Sequence, residues 1–286
     1  MDFNNFIAVD WSGDKNKFQK GISVAQCQIG KDAPKIIKPK DKYWSRSTLI
    51  KWLLEEVTEK KSLIGFDFSF SYPFYDCFSY FPGIKDSPIS PYKLWEKIDN
   101  INNKLVNFYG GGIWYKEPYS NYYNSPNLKG TLYKSRRRFT EIEAKNKIHS
   151  PSPTFNCVGP GAVGTGSLAG MRVLNFLKNK INIWPFNNSV LQKKKSVAVE
   201  IFPTYYFRYA HVKPEKNIGY ALDKINQALN HYGCNSLPKD IIISGPDQDD
   251  ADAIVSAAAM RYFSNNRNCW NVAKVSKKEG WIFGVY

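Results

Sequence analysis

Three strand-like stretches, a helix and a further apolar strand follow one another through the first 73 residues, and few folds accommodate that order. NNFIAVDWSG reads as a strand from Phe6 to Trp11, and GISVAQCQI and PKIIKPK read as two more, joined by polar turns into a meander. In SRSTLIKWLLEEVTEK, Leu49, Trp52, Leu53 and Val57 recur at helical spacing, with Ser45 or Ser47 available as N-cap. SLIGFDFSFSYP then continues as an apolar strand stopped by Pro73. This is the opening of an α/β domain with a mixed sheet.

The pattern breaks from residue 74 to about 160, where FYGGGIWYKEPYSNYYNSPNLKG is typical: rich in Tyr, Asn, Gly and Pro and without a sustained period. So long an irregular insertion inside one domain spanning 1–286 suggests a lid or specificity element, or a satellite cluster that binds nothing. TLYKSRRRFTEIEAKNKIH reads as a basic helix, and VGPGAVGTGSLAGMRVLNFLKNK as a glycine loop entering another helix. Alternation then resumes. SVAVEIFP is a strand, Glu215 to His231 a helix, DIIIS a short strand or turn, Asp249 to Phe263 a helix opened by the Gly245–Pro246 turn, and GWIFGVY a closing strand.

Three interior strands each carry one acid. Period-two counting sets Asp10 beside Ala8 and Ser12, Asp67 beside Gly65 and Ser69, and Glu200 beside Ala198, with large apolar residues on the opposite faces. Any one of these could be a structural acid bonded to backbone or to an arginine. Small neighbours also leave room for a metal, water or substrate. In DQDDADAIVSAAAMRYF four aspartates occupy six positions, and Asp249 and Asp252, three apart, share a helix face while Asp250 turns away. Acids in a first turn suit the helix dipole, but two on one face repel unless a cation lies between them. Five acids of this kind are costly to bury without compensation, and hard oxygen donors without His or Cys point to Mg²⁺ or Mn²⁺. Two such ions could clamp a phosphodiester.

The order of elements, with a D-x-x-D helix at the end, resembles the RNase H-like fold, and DQDDADAIVSA looks like the last catalytic helix of Holliday-junction resolvases. The chain is more similar still to the predicted RNase H-like nuclease family catalogued as domain of unknown function four-two-nine. AVDWSG, IGFDFSFSYP, RRRFTE, VGPGAVGTGSLAGM, VEIFP and DADAIVSAAAM carry that likeness through nearly the whole length. It implies a five-stranded mixed sheet flanked by helices. It also implies Asp10, Asp67, Asp249 and Asp252 as metal ligands, and Glu200 as a ligand or a supporting group.

Forty Lys and Arg against 25 Asp and Glu, formally +15, favour polyanionic partners, nucleic acid first. In YKSRRRFTEIEAK, Lys134, Arg136, Arg137 and Arg138 beside Tyr133 and Phe139 suit a strand-positioning role, which the resemblance extends to Thr140 and Glu141, or else an exposed helix with an Arg137–Glu141 pair. QKKKS, at 192–196, reads as a solvated turn. The glycine loop lacks a Walker ending, yet backbone N–H groups around Gly164, Thr165 and Ser167 could hold a substrate phosphate. A plain tight turn explains it equally.

Five scattered cysteines and three scattered histidines argue against zinc and against a Cys/His nucleophile. No signal peptide or spanning segment is legible, so the expected compartment is the cytoplasm, with no membrane partner. The sequence therefore predicts a metal-dependent nuclease. The alternatives are a nucleic-acid-binding protein with a degenerate site, and an ATP-using enzyme like actin or the sugar kinases, which would need a duplicated core.

Overall fold

β1 (Asn5–Asp10) is buried along its whole length and stands inside a six-stranded mixed sheet. On one side it pairs antiparallel with β2 (Ser23–Gln28), which pairs antiparallel with the two-residue β3 (Lys35–Ile36) at the edge. On the other it pairs parallel with β4 (Ser62–Phe66). Beyond β4 lie the parallel strands β6 (Val197–Glu200) and β5 (Asn182–Ile183), giving the order β3-β2-β1-β4-β6-β5. This computed structural model describes residues 3–186, 196–215, 219–243 and 248–286.

Helices cover both faces, as a sheet with a buried parallel centre requires. One face carries α7 (Asp249–Ser264), laid across β1 and β2 and backed by α5 (Pro203–Tyr209) and α6 (Leu222–His231). Ala251, Ala253, Ala257 and Ala258 are fully buried in that layer, and such small side chains let the helix lie close. Gly65 completes the fit, since a Cβ there would stand 2.4 Å from Met260 Sδ and 2.6 Å from Ile201 Cγ2. On the other face Ile7, Val9, Ile64 and Phe66 meet α1 (Arg46–Glu59) and α4 (Gly164–Leu177). Ser45 caps α1 by accepting from Thr48 N at 3.0 Å.

Several expected boundaries move. The sheet has six strands instead of five, because Asn182 and Ile183 add an edge too short to show periodicity. The apolar run after Ser62 leaves the sheet at Phe66, where Asp67 N donates to Val9 O at 3.1 Å. GWIFGVY is no strand; it makes one bridge, Ile282 to Glu200. In the basic segment only Phe139–Lys147 (α3) is helical, so the three arginines precede the helix. The helix expected from Glu215 begins at Leu222, and Asp240–Ile243 forms no strand. The 192–195 lysine run and the Gly245–Pro246 turn, with Asp247, fall outside the described residues.

The irregular insertion holds a real helix, α2 (Pro91–Ile101), capped by Ser90 with Pro91 in its first turn. Its Leu94, Trp95 and Ile98 are buried, and it packs on α4. Tyr72, Phe81 and Tyr123 surround Phe155 with centroids 4.3, 5.9 and 5.3 Å away. Much of the insertion is therefore core. All five cysteines are free thiols, four buried and Cys77 exposed. No helix among the described residues is long and apolar enough to cross a membrane.

Candidate active site: acids at the carboxyl edge of the sheet

Asp10 ends β1 and Asp67 follows the last residue of β4. Since the strands are parallel with Val9 opposite Phe66, both acids emerge at the same edge. The first turn of α7 brings Asp249, and Asp252 one turn further, to that edge. Asp10 and Asp249 are 7% and 6% exposed; Asp67 and Asp252 are half-buried. The Asp10 carboxyl is hydrogen-bonded to Asp249 and to Asp67. Gly21 forms a wall, where a Cβ would lie 3.7 Å from Asp249 Oδ1 and 3.6 Å from Ser12 Cβ. Asp250 turns away, accepting from Ser23 Oγ at 2.5 Å with Lys38 Nζ at 3.6 Å.

Crowding holds protons on this cluster. Burial raises the Asp10 carboxyl well above the ordinary range, reinforced by the charges of Asp252, Asp67 and Asp249. Burial likewise lifts Asp67 to about 7, with Glu200 adding repulsion and the Asp10 hydrogen bond working the other way. The folded protein thus keeps protons that the unfolded chain releases from about pH 4. In chelator, stability should fall as pH rises from 4 to 7, by at most about 1.4 kcal/mol per unit for each group. Asp67→Asn should flatten that slope in urea unfolding at stepped pH; an unchanged slope would contradict the assignment.

Glu200 stands apart. Its register partner is Phe66, and Ala198 beside it packs with Ile7 and Val9, so Glu200 faces away from the side of the sheet covered by α7. Counting by twos fixes parity within one strand, not between strands, and the small Ala198 marks the other face. There Arg138 donates to both Glu200 oxygens at 2.5 and 2.8 Å, and Phe70 N donates at 2.9 Å. Arg138 also bonds Glu141 Oε1 at 2.9 Å, Ser69 Oγ at 3.1 Å and Glu279 O at 3.0 Å.

The expected strand-binding residues are mostly internal. Arg138, Thr140 and Glu141 are at most 1% exposed, and Thr140 Oγ1 accepts from Ile282 N at 2.9 Å. Arg137 is half-buried and donates to Ser150 Oγ at 2.8 Å and to Pro151 O; the Arg137–Glu141 pair is replaced by Arg138–Glu141. Gly164 opens α4, Thr165 Oγ1 donates to Cys157 O at 3.4 Å, and buried Ser167 Oγ accepts from Ser69 N at 3.0 Å. The loop after β1 presses on this helix start: a Cβ at Gly13 would lie 2.4 Å from Gly166 N.

Two residues escaped sequence reasoning. Arg46, fully buried, donates to Ser12 O at 2.8 and 3.1 Å, to Asp14 O at 2.6 Å and to Asn107 O at 3.0 Å, fixing the loop beyond Asp10. Glu279, in the short α8 (Ser276–Glu279), accepts from Phe74 N, Tyr75 N and Phe139 N at 2.7–2.9 Å. Both bonds join segments far apart in the chain, and no local spacing announces them.

No group of three or more His, Cys, Asp or Glu among the described residues is arranged as a metal cage. The donor chemistry at the edge nonetheless fits a hard divalent cation, since the carboxylates of Asp10, Asp67, Asp249 and Asp252 converge there and repel one another. No protein-family profile, curated protein or solved structure matches the chain.

Proposed function

We propose that this protein is a metal-dependent nuclease with an RNase H-like core, hydrolysing phosphodiester bonds with water as the nucleophile. The observation that carries the reading is the convergence of Asp10, Asp67, Asp249 and Asp252 at one sheet edge, where burial and mutual repulsion raise the Asp10 and Asp67 carboxyls. The meander of β3, β2 and β1 beside parallel β4 and β6 supports the RNase H-like assignment, and the formal charge of +15 supports a nucleic-acid substrate.

Asp10, Asp67, Asp249 and Asp252 would hold Mg²⁺ or Mn²⁺, in one or two sites. When bound, such a cation supplies Lewis acidity and makes water more acidic. Each acid has its own task. Asp10 and Asp249 form a buried floor that would hold the cation, and displacement of a proton from the raised Asp10 carboxyl would accompany its binding. Half-buried Asp67 and Asp252 face the approaching substrate. Glu200, paired with Arg138, does not join the floor.

Calorimetric titration with Mn²⁺ at low ionic strength tests this. We expect saturable binding with proton release in the wild type and none in Asp10→Asn/Asp252→Asn. The second reading is a nucleic-acid binder with a degenerate site, which the formal charge of +15 fits equally. Salt-sensitive binding of oligonucleotide with no Mn²⁺ uptake, even with oligonucleotide present, would establish that reading and end the nuclease proposal.

A further inference from the structure

The basic charge is not spread evenly. Residues 15–42 contain eight lysines (15, 17, 20, 31, 35, 38, 40 and 42) against Asp32 and Asp41, a net +6 of the +15 in about a tenth of the chain. This stretch builds the β1–β2 turn, β2, β3 and the run into α1. Folding brings Lys20, Lys38 and Lys42 round a single cleft of about 100 Å³. Its floor is Ser23 and Val24 of β2, its sides include Tyr43 and Trp44, and Asp249 and Asp250 at the start of α7 form its inner wall. The cleft therefore shares Asp249 with the acid cluster.

Lysines guard edge strands against pairing with other chains, and Lys35 on β3 suits that role. That explanation does not reach Lys20 and Lys42, which lie outside the strands and still line the cleft. Lysines in this stretch also alternate with aromatic rings. Lys17 Nζ lies 5.1 Å from the centroid of Phe18, which is 42% exposed, and Lys42 Nζ lies 5.4 Å from that of half-buried Tyr43. Cations for phosphates with rings for bases are the combination that holds a single strand; a free phosphate has no use for the rings. The 67% exposed Lys38 side chain, 3.6 Å from Asp250, can swing to a phosphate while the buried carboxylate keeps its Ser23 bond.

Building on the nuclease reading, we infer that the Lys20–Lys38–Lys42 cleft is the backbone-binding subsite for a single strand of nucleic acid, seating a phosphate next to the one at the acids. The small volume admits one phosphodiester unit. The lysines contribute binding, not chemistry. Their cluster also offsets the repulsion that the acids exert on an incoming phosphate.

The test is fluorescence anisotropy of single-stranded DNA and RNA oligonucleotides of about 12 nucleotides. It is run in chelator, in an Asp10→Asn background so that nothing is cleaved. Removing the lysines round the one seated phosphate should weaken binding about tenfold at 50 mM salt and flatten the slope of log K against log salt by about 0.7. We expect this of Lys20→Gln/Lys38→Gln/Lys42→Gln. The control Lys145→Gln/Lys147→Gln/Lys277→Gln, equal in charge and exposed on α3 and α8, should change the slope far less. Equal losses in the two triple variants would reduce the effect to net charge and overturn the subsite. So would a mononucleotide competing as well as the oligonucleotide per phosphate, or unchanged binding by the cleft variant. Those outcomes leave Mn²⁺ uptake by the acids, and hence the nuclease reading, standing; loss of Mn²⁺ uptake removes that reading and leaves the cleft result intact.

Discussion

Asparagine in place of Asp10 should lower Mg²⁺-dependent cleavage by about a thousandfold, the scale of losing one electrostatic contact to a transition state, while the folded protein becomes no less stable. Asp10 is buried among three other acids, so at pH 8 its charge is a burden on the fold when no cation is present. Asparagine keeps the shape and removes that charge. In chelator at pH 8 the variant should therefore unfold at a higher urea concentration than the wild type. Cleavage assays on a panel of DNA and RNA substrates, beside urea titrations, separate this from misfolding. Loss of activity with loss of stability would mean that Asp10 is structural, and retained activity would exclude it as a ligand.

Arg138→Met should cost about 3–5 kcal/mol, the largest stability effect expected of any single change here. The guanidinium is 1% exposed and is the cation bonded to both Glu200 and Glu141, which the change would leave buried without a counter-charge. Taking Glu200→Leu and Glu141→Leu together with it should restore most of the loss, since an apolar cluster of similar volume can replace a buried ion network. Urea unfolding of the single and triple variants measures both numbers. A midpoint within experimental error of wild type for Arg138→Met would show that the network contributes nothing.

What could be read in advance was whatever depends on neighbours in sequence. β1 and β4 were legible because burial on both sides leaves an apolar run broken only by one acid, and α7 because its aspartates and alanines are contiguous. The placement of Asp10 and Asp67 followed from parity within each strand. Glu200 failed the same logic because the relation between strands is set by pairing register, which no single strand encodes. α2 was passed over within a Tyr- and Asn-rich stretch, although Ser90, Pro91 and the Leu94, Trp95, Ile98 spacing were all visible. The arginines of the basic segment were expected in a helix by their charge pattern. Their carbonyl and carboxylate partners, such as Asp76 for Arg136 at 2.6 and 2.7 Å, come from outside it and hold the chain extended there.

The acid cluster draws its members from segments far apart in the chain: β1 and β4 are made well before α7, which completes the edge. A polypeptide still emerging from the ribosome therefore carries Asp10 and Asp67 without Asp249 and Asp252, and its β1–β2 surface stays bare until α7 docks on it. Partial chains, whether stalled in translation or cut before Gln248, lack two of the four acids. The four acids thus come together in a single event, the docking of α7 on β1 and β2.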